Sequence, residues 1–393
     1  MKSVISYGLD KCIKCLKCVK SCPTGAISQR DGRISIDDAF CINCGRCIRE
    51  CYHQGLQVQG APLSKIADFA YTVCLVPSAF ANNFSSNKEI EEMFYAIKDV
   101  GFDEVVDLSP YEGRILKGYE DIAASSNTLK IASFCPVVNN LIKVNYQTLE
   151  DNLIPYQYAS EIAARQVRER LSDKENVGIF LLAECEAKLS LAKYPSGGNY
   201  EVDYAVAIAD ALPVIKMCNK EKVRMPLNLS SHGLSLANAQ TLERKENVLI
   251  ADGFEKINSS LELAEFDLLE DINLMMLYPC FNGCIGGHLV WGNSFLTMRN
   301  YRKLDLSDEV MDIDEALLSH SYEPEDENEI TDFKDRLRFF KVVNEVLEKL
   351  PGYDCSACGL QTCRRMAEEI CAGHKTLEDC RIHRALEVKG ESK

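Results

Sequence analysis

Cys12, Cys15, Cys18 and Cys22 read C-x2-C-x2-C-x3-C just before Pro23, and Cys41, Cys44, Cys47 and Cys51 repeat that spacing 29 residues later. Near the other end, Cys355, Cys358, Cys363 and Cys380 read C-x2-C-x4-C-x16-C. Between them, Cys280 and Cys284 stand four apart in LYPCFNGCIGGHLVWGN, beside Asn282, Gly283, Gly286, Gly287 and Gly292. Thiolates at such close spacing ligate soft metals, as iron–sulfur clusters or as zinc. Disulfides suit small secreted chains, whereas this one has 393 residues, nineteen cysteines and an opening, MKSVISYGLDKC, with no apolar leader. The expected setting is therefore the reducing cytoplasm.

A fixed offset between two four-cysteine motifs is an internal repeat. The repeat resembles bacterial two-cluster ferredoxins, in which the fourth cysteine of each motif ligates the other cluster. That resemblance implies one 4Fe–4S cluster on Cys12, Cys15, Cys18 and Cys51, and a second on Cys41, Cys44, Cys47 and Cys22. CPTGAI and the strand-like GRISID fit the same family, while Tyr52 replaces the usual proline of the second motif. Zinc remains the rival metal for C-x2-C spacing. Such clusters carry electrons and catalyse nothing themselves.

From about residue 66 the pattern becomes α/β. AYTVCLV (70–76) is a short apolar run suited to a buried strand. Asn87 is placed to cap a helix with Ile90, Phe94, Ile97 and Val100 on one face and Gly101 at its end. DEVVDLS reads as the next strand, giving a βαβ unit and a parallel sheet. LKIASF (129–134) and VGIFLLA (177–183) read as further strands. Ligands gather at the carboxyl ends of parallel strands, and Cys135 and Cys185 fall just past two such ends. A helical turn over 280–284 would put Cys280 and Cys284 on one face, and their glycines would let backbone approach a bulky group. The bland alternative is that all four are buried cysteines acting as small hydrophobes.

The region from about 66 to 305 resembles the catalytic domain of [FeFe]-hydrogenases. IASFCPVVNNL, LLAECEAKLS and YPCFNGCIGGHLVWGNSF are similar to its three cluster-binding segments, and VPSAF to the loop that opens the domain. The CIGG…N form of the third segment is that of the sensory branches. The resemblance implies an H-cluster: a 4Fe–4S cubane on Cys135, Cys185, Cys280 and Cys284, with Cys284 bridging to a diiron subcluster that carries carbon monoxide, cyanide and a dithiolate. It implies that Lys188 donates hydrogen bonds to a cyanide ligand, and that Ser133, Pro77 and Ser78 line the same site. Its catalytic residues would be Lys188 and Cys284. The departures are specific. Phe134 stands where the family has a proton-relaying cysteine, Ala183 and Glu184 replace Met-Pro, and Tyr278 replaces a methionine. A phenyl ring carries no proton. His288 is a possible alternative relay, although a lone histidine is more often structural.

SYEPEDENEI (321–330) has a linker's acidic composition. An amphipathic helix follows, with Phe333, Leu337, Phe340, Val343, Leu347 and Leu350 at helical spacing as packing residues. The last cysteine motif resembles the small 4Fe–4S domain of the Rnf-complex B subunit, of corrinoid-protein partners and of sensory-type hydrogenase-like proteins, with zinc the weaker option. Cys371 falls inside a helix there and is expected to be buried. Cys74, Cys218 and Cys371 are left without a role.

The expected architecture is an α/β hydrogenase-type domain (59–320) of parallel sheets flanked by helices. A ferredoxin-like α+β domain (1–58) precedes it, and an acidic linker and helix start (321–345) lead to a small helical 4Fe–4S domain (346–393). The implied cofactors are three 4Fe–4S clusters plus the H-cluster. The implied function is an iron hydrogenase with a ferredoxin-type acceptor, slow in turnover and sensory or regulatory in role. The alternative is a cubane-only electron-transfer or redox-sensing protein. Expected partners are dihydrogen and protons as substrates, a redox or signalling protein, and hydrogenase maturation proteins. A net charge of −15 argues against nucleic acid, and no apolar run is long enough to cross a membrane.

Overall fold

A computed structural model describes residues 2–198, 200–319 and 333–389. The chain divides into two compact units. One comprises Met1–Val4, Ile42–Gly45 and Val58–Ser321; the other comprises Ile5–Cys41, Arg46–Gln57 and Tyr322–Lys393. The division is not a single cut at residue 58, because the short loop Ile42–Gly45 belongs with the larger unit.

The larger unit is built on two parallel sheets. The first has four strands in the order Glu104–Asp107, Tyr71–Val76, Val177–Ala183, Tyr204–Ala207, and the second has three, Val248–Asp252, Leu274–Tyr278, Lys130–Ile131. All their pairings are parallel. Alternation explains why the central strands are apolar throughout. Val73, Leu75, Ile179 and Leu181 enter one core, while Cys74, Val76, Phe180 and Leu182 enter the core on the opposite face. The leftover Cys74 is thus an ordinary core residue.

The helix Asn87–Asp99 buries Ile90, Phe94 and Ile97 as its periodicity requires. Its cap is Ser86, not Asn87: the Ser86 side chain accepts from the Glu89 N–H, and Asn87 instead exchanges two hydrogen bonds with the Asp305 backbone. Gly101, at φ +129°, ends the segment. LKIASF forms a strand only over Lys130–Ile131. Ala132 adds one more ladder bond, and the Ser133 N–H then turns to the Tyr119 hydroxyl at 3.1 Å. Cys135 becomes the N-cap of the helix Pro136–Asn145.

In the smaller unit, the antiparallel pair Ile27–Arg30 and Arg33–Ile36 and the short helices Lys17–Ser21 and Arg46–Arg49 surround a small core that includes Cys18, Cys22 and Cys47. This is the expected ferredoxin-like α+β module. The C-terminal part of the unit is helical: Phe333–Leu347, Cys363–Cys371 and Arg381–Lys389. Val343, Leu350, Leu360 and Met366 form its core. Phe340 departs from the expected packing stripe; it is exposed, with the Arg364 guanidinium 5.3 Å from its ring centroid. Cys371 ends its helix half-buried rather than fully buried. The acidic stretch 321–330 and the side chains of Phe333 and Leu337 lie outside the described residues. No helix among the described residues is long and apolar enough to cross a membrane.

Candidate active site and cluster sites

The four candidate ligand cysteines follow strands of both sheets of the larger unit. Cys135 follows the strand Lys130–Ile131, Cys185 follows Val177–Ala183, and Cys280 and Cys284 follow Leu274–Tyr278. Each lies beyond a strand's carboxyl end, where backbone leaves the ladder and side chains of separate loops converge. Cys135 and Cys185 pack against one apolar cluster that also takes in Ile42 and Cys44. Burial pushes the Cys185 and Cys284 thiols well above their ordinary range, and each also feels Cys135 and Cys280 electrostatically. Metal ligation deprotonates such thiols.

The loop 280–284 differs from expectation. It is a turn closed by Gly283 N–H donating to the Cys280 carbonyl, and the helical turn begins only at Cys284, as the 3-10 segment Cys284–Gly286. The glycines serve backbone-to-backbone approach. A Cβ at Gly286 would collide with the Phe281 carbonyl, one at Gly287 with the Glu184 carbonyl, and one at Gly283 (φ +94°) would sit 2.7 Å from the Ala237 carbonyl. They close the loop on its neighbours, which fixes Cys284 beside Lys188.

Cys284, Lys188, Glu112, Phe134, Ser160 and Ala237 line a small, partly open pocket of about 20 Å³. Lys188 does not stand alone there. Its Nζ lies 2.6 Å from Glu184 Oε1 and 3.9 Å from Glu112 Oε1. Burial opposes its charge, but Glu184, Cys284 and Glu112 together hold its pKa well above the ordinary lysine range. Glu112 was not singled out from sequence. It sits in the first turn of Ser109–Ser125, where its Oε2 accepts from the Ser78 N–H at 3.1 Å, and burial pushes its carboxyl up to about 7. The signal available was an acid at position −3 from Ile115 and −4 from Leu116 on a helix face that is otherwise core.

Pro77 precedes the short helix Ser78–Ala81. Ser78 faces the Glu112 carboxylate, and the buried Ser160 hydroxyl has no hydrogen-bond partner among the described residues. Ser133 is not brought to the cavity wall: its hydroxyl lies 3.2 Å from that of Tyr119. Phe134 does reach the wall, packed against Tyr278 with ring centroids 4.8 Å apart. His288 is absorbed elsewhere, with Nδ1 3.1 Å from Glu186 Oε1. Gly45 fits tightly against both, since a Cβ there would collide with His288 and Glu186.

The donor set fits an iron–sulfur group with anionic ligands. A thiol, an ammonium and the Ser160 hydroxyl meet at one partly open pocket. In the smaller unit, Cys12, Cys15, Cys18 and Cys51 line one pocket of about 160 Å³. Cys355, Cys358, Cys363 and Cys380 line a smaller one of about 10 Å³, with no carboxylate or imidazole in its walls.

Comparison with known proteins matches three stretches of the chain. Residues 4–52 match the 4Fe-4S dicluster domain family, residues 70–226 match the iron only hydrogenase large subunit, C-terminal domain, and residues 350–382 match an Fe-S cluster family. The hydrogenase match includes Cys135, Cys185 and Lys188 and stops short of Cys280. No curated protein matches the chain. Among solved structures, an [FeFe]-hydrogenase studied for stepwise H-cluster assembly is 12% identical, with 63% of this chain and 89% of that one covered at a TM-score of 0.47. A variant of the [FeFe]-hydrogenase of Chlamydomonas reinhardtii is 11% identical, with 61% and 87% covered at 0.46. The sequence matches thus make residues 70–226 similar to the iron only hydrogenase large subunit, with a stretch similar to a 4Fe-4S dicluster domain before it and one similar to a family described as a putative Fe-S cluster after it.

Proposed function

We propose that this protein binds and cleaves dihydrogen at an H-cluster held by Cys135, Cys185, Cys280 and Cys284, and that it is a slow hydrogenase of sensory or regulatory role. The observation that carries the reading is the meeting of Cys284, Lys188 and the unpaired Ser160 hydroxyl on one partly open pocket. When bound, the H-cluster supplies the reversible conversion of dihydrogen to protons and electrons. The remaining chemistry belongs to the chain. Lys188 keeps a positive charge at the cavity wall and offers up to three donors to an anionic ligand. Phe134 excludes water and carries no proton. Glu112, its carboxyl pushed up to about 7 by burial, can give or take a proton at the same wall, in the range where a general acid or base works best.

Electrons pass through cubanes on Cys12, Cys15, Cys18 and Cys51, on Cys22, Cys41, Cys44 and Cys47, and on Cys355, Cys358, Cys363 and Cys380. The partners in this reading are a redox or signalling protein and the maturation proteins that install the diiron subcluster, in a cytoplasmic setting. One observation favours the cubane-only alternative: the 2.6 Å pair with Glu184 already engages Lys188 inside the protein. Infrared spectroscopy after loading with the diiron cofactor separates the two. Carbonyl and cyanide bands that vanish in Cys284→Ala are expected. Their absence from wild-type protein with a full complement of cubanes would establish the alternative.

A further inference from the structure

In the smaller unit, the C-terminal cluster domain is fastened to the ferredoxin-like domain through the very loops that carry the cysteines of both. Gln361 lies between Cys358 and Cys363, and its Nε2 donates to the backbone carbonyl of Cys22. The Gln29 N–H donates to the Gly359 carbonyl at 2.8 Å. Gly359, next to Cys358, has φ +86°, and a Cβ there would collide with the Gln29 carbonyl. Only glycine permits both that conformation and that approach. Two residues after Cys363, the Arg365 guanidinium lies 5.2 Å from the ring centroid of Phe40, which immediately precedes Cys41. Arg30 pairs with Glu369 at 2.9 Å, and the Glu369 side chain is only 10% exposed.

These contacts share a direction. Gln361 touches the residue Cys22, and Arg365 touches the residue before Cys41. By the ligand sets proposed above, Cys22 and Cys41 serve the same cluster. Thr24 ties the two points together, since its hydroxyl donates to the Phe40 carbonyl at 2.6 Å. A domain held only as a tethered appendage has no need to bring its ligand loop, rather than its outer helices, onto the ligand loop of another cluster. An electron carrier does, because the covalent and hydrogen-bonded path from Cys358 through Gln361 to Cys22 is then a few residues long.

We propose that this contact is an electron junction: the cluster of Cys355, Cys358, Cys363 and Cys380 exchanges electrons with the cluster of Cys22, Cys41, Cys44 and Cys47. The C-terminal domain is then an electron port of the protein. In each transfer one electron leaves a reduced cubane, which becomes oxidised, and enters its oxidised neighbour, which becomes reduced. No bond forms or breaks and no proton moves. The external participant is a one-electron protein carrier, as donor or as acceptor. The inference rests on the ligand sets under Proposed function, so its test reads iron content and coupling separately.

The test uses the full-length, cluster-loaded chain reduced with dithionite and examined by electron paramagnetic resonance. Wild type is expected to show a spectrum broadened by spin coupling, with relaxation faster than that of isolated cubanes. Cys380→Ser should lose the iron of one cubane, and the remaining signal should narrow. Gln361→Ala combined with Arg30→Ala should keep all its iron but lose part of the broadening, which a change in ligands would not produce. Should Cys380→Ser retain its full iron, the tail ligand set falls, and the junction with it. Should iron fall as expected while the wild-type spectrum equals the sum of the Cys380→Ser spectrum and an uncoupled cubane, the junction is refuted and the ligand sets stand. Power saturation of intact wild type decides the same question without any variant: slow, independent relaxation of every cluster overturns the proposal.

Discussion

The Lys188–Glu184 pair offers the sharpest test of the site's energetics. The two groups stand 2.6 Å apart, and the side chains are 15% and 1% exposed. Removing one partner of a buried pair strands the other charge, at a cost of about 3–5 kcal/mol. The structure places the two single variants differently within that range. In Glu184→Gln, Lys188 keeps Glu112 at 3.9 Å, so the cost falls near the lower end. In Lys188→Met, Glu184 loses its partner at Oε1 when its Oε2 already has none, so the cost falls near the upper end. At roughly 2–4 °C per kcal/mol for a domain of this size, Glu184→Gln should melt about 6–12 °C below wild type. Lys188→Met should melt lower still. The double variant removes both charges and should be no less stable than Lys188→Met alone, because coupled residues are non-additive. Circular dichroism melts at one scan rate, on anaerobic protein with cubanes but no diiron subcluster, provide the measurement. Single variants within about 2 °C of wild type, adding up in the double, would mean that water screens the pair. Lys188 would then be free to serve an anionic ligand without displacing Glu184.

The cubane assignments predict about sixteen iron atoms per chain without maturation and about eighteen with it; Cys371→Ala should leave iron content unchanged, and a lost cubane there would break the tail assignment. A positioned acid or base contributes about 10²–10⁴-fold, so dihydrogen oxidation with an artificial acceptor should be slower than in relatives with a relay cysteine by up to that factor. Phe134→Cys should recover part of the deficit only if Glu112 stands behind it, so Glu112→Gln in that background should abolish the gain. Burial raises the Glu161 carboxyl from 4.5 to about 7. Its neutral form is the one that folding favours, so its contribution is complete below pH 4.5 and is lost as pH rises through about 7. Glu161→Gln should flatten the melting temperature across that window, and an unchanged slope would refute the assignment.

The sequence was most readable where chemistry and periodicity spoke together. The cysteine repeats located the cluster loops, and the apolar runs 70–76 and 177–183 became central strands because both their faces are covered. It was least readable where a single residue decides the outcome. Ser86 rather than Asn87 caps a helix because its hydroxyl reaches the Glu89 N–H. LKIASF leaves the ladder after Ala132 because Tyr119, from the preceding helix, captures the Ser133 N–H. The loop glycines were read as space for a cofactor, yet their nearest neighbours are the carbonyls of Phe281, Glu184 and Ala237, which no local pattern reveals. Glu112 went unnoticed because an acid in a helix's first turn looks like an ordinary dipole partner. Only the fold shows it facing Lys188 from a buried position.

The four residues Ile42–Gly45 limit how far this protein can be treated as interchangeable parts. Ile42 is 2% exposed within the larger unit's core, Asn43 accepts from the Val4 N–H at 3.1 Å, and Gly45 is sealed against Glu186 and His288. Yet the same stretch carries Cys44, from the middle of a ferredoxin motif. A chimera that exchanged residues 1–58 for a foreign ferredoxin would therefore remove a plug from its host as well as an electron carrier. A graft has to transplant the Ile-x-x-Gly insert along with the cysteines.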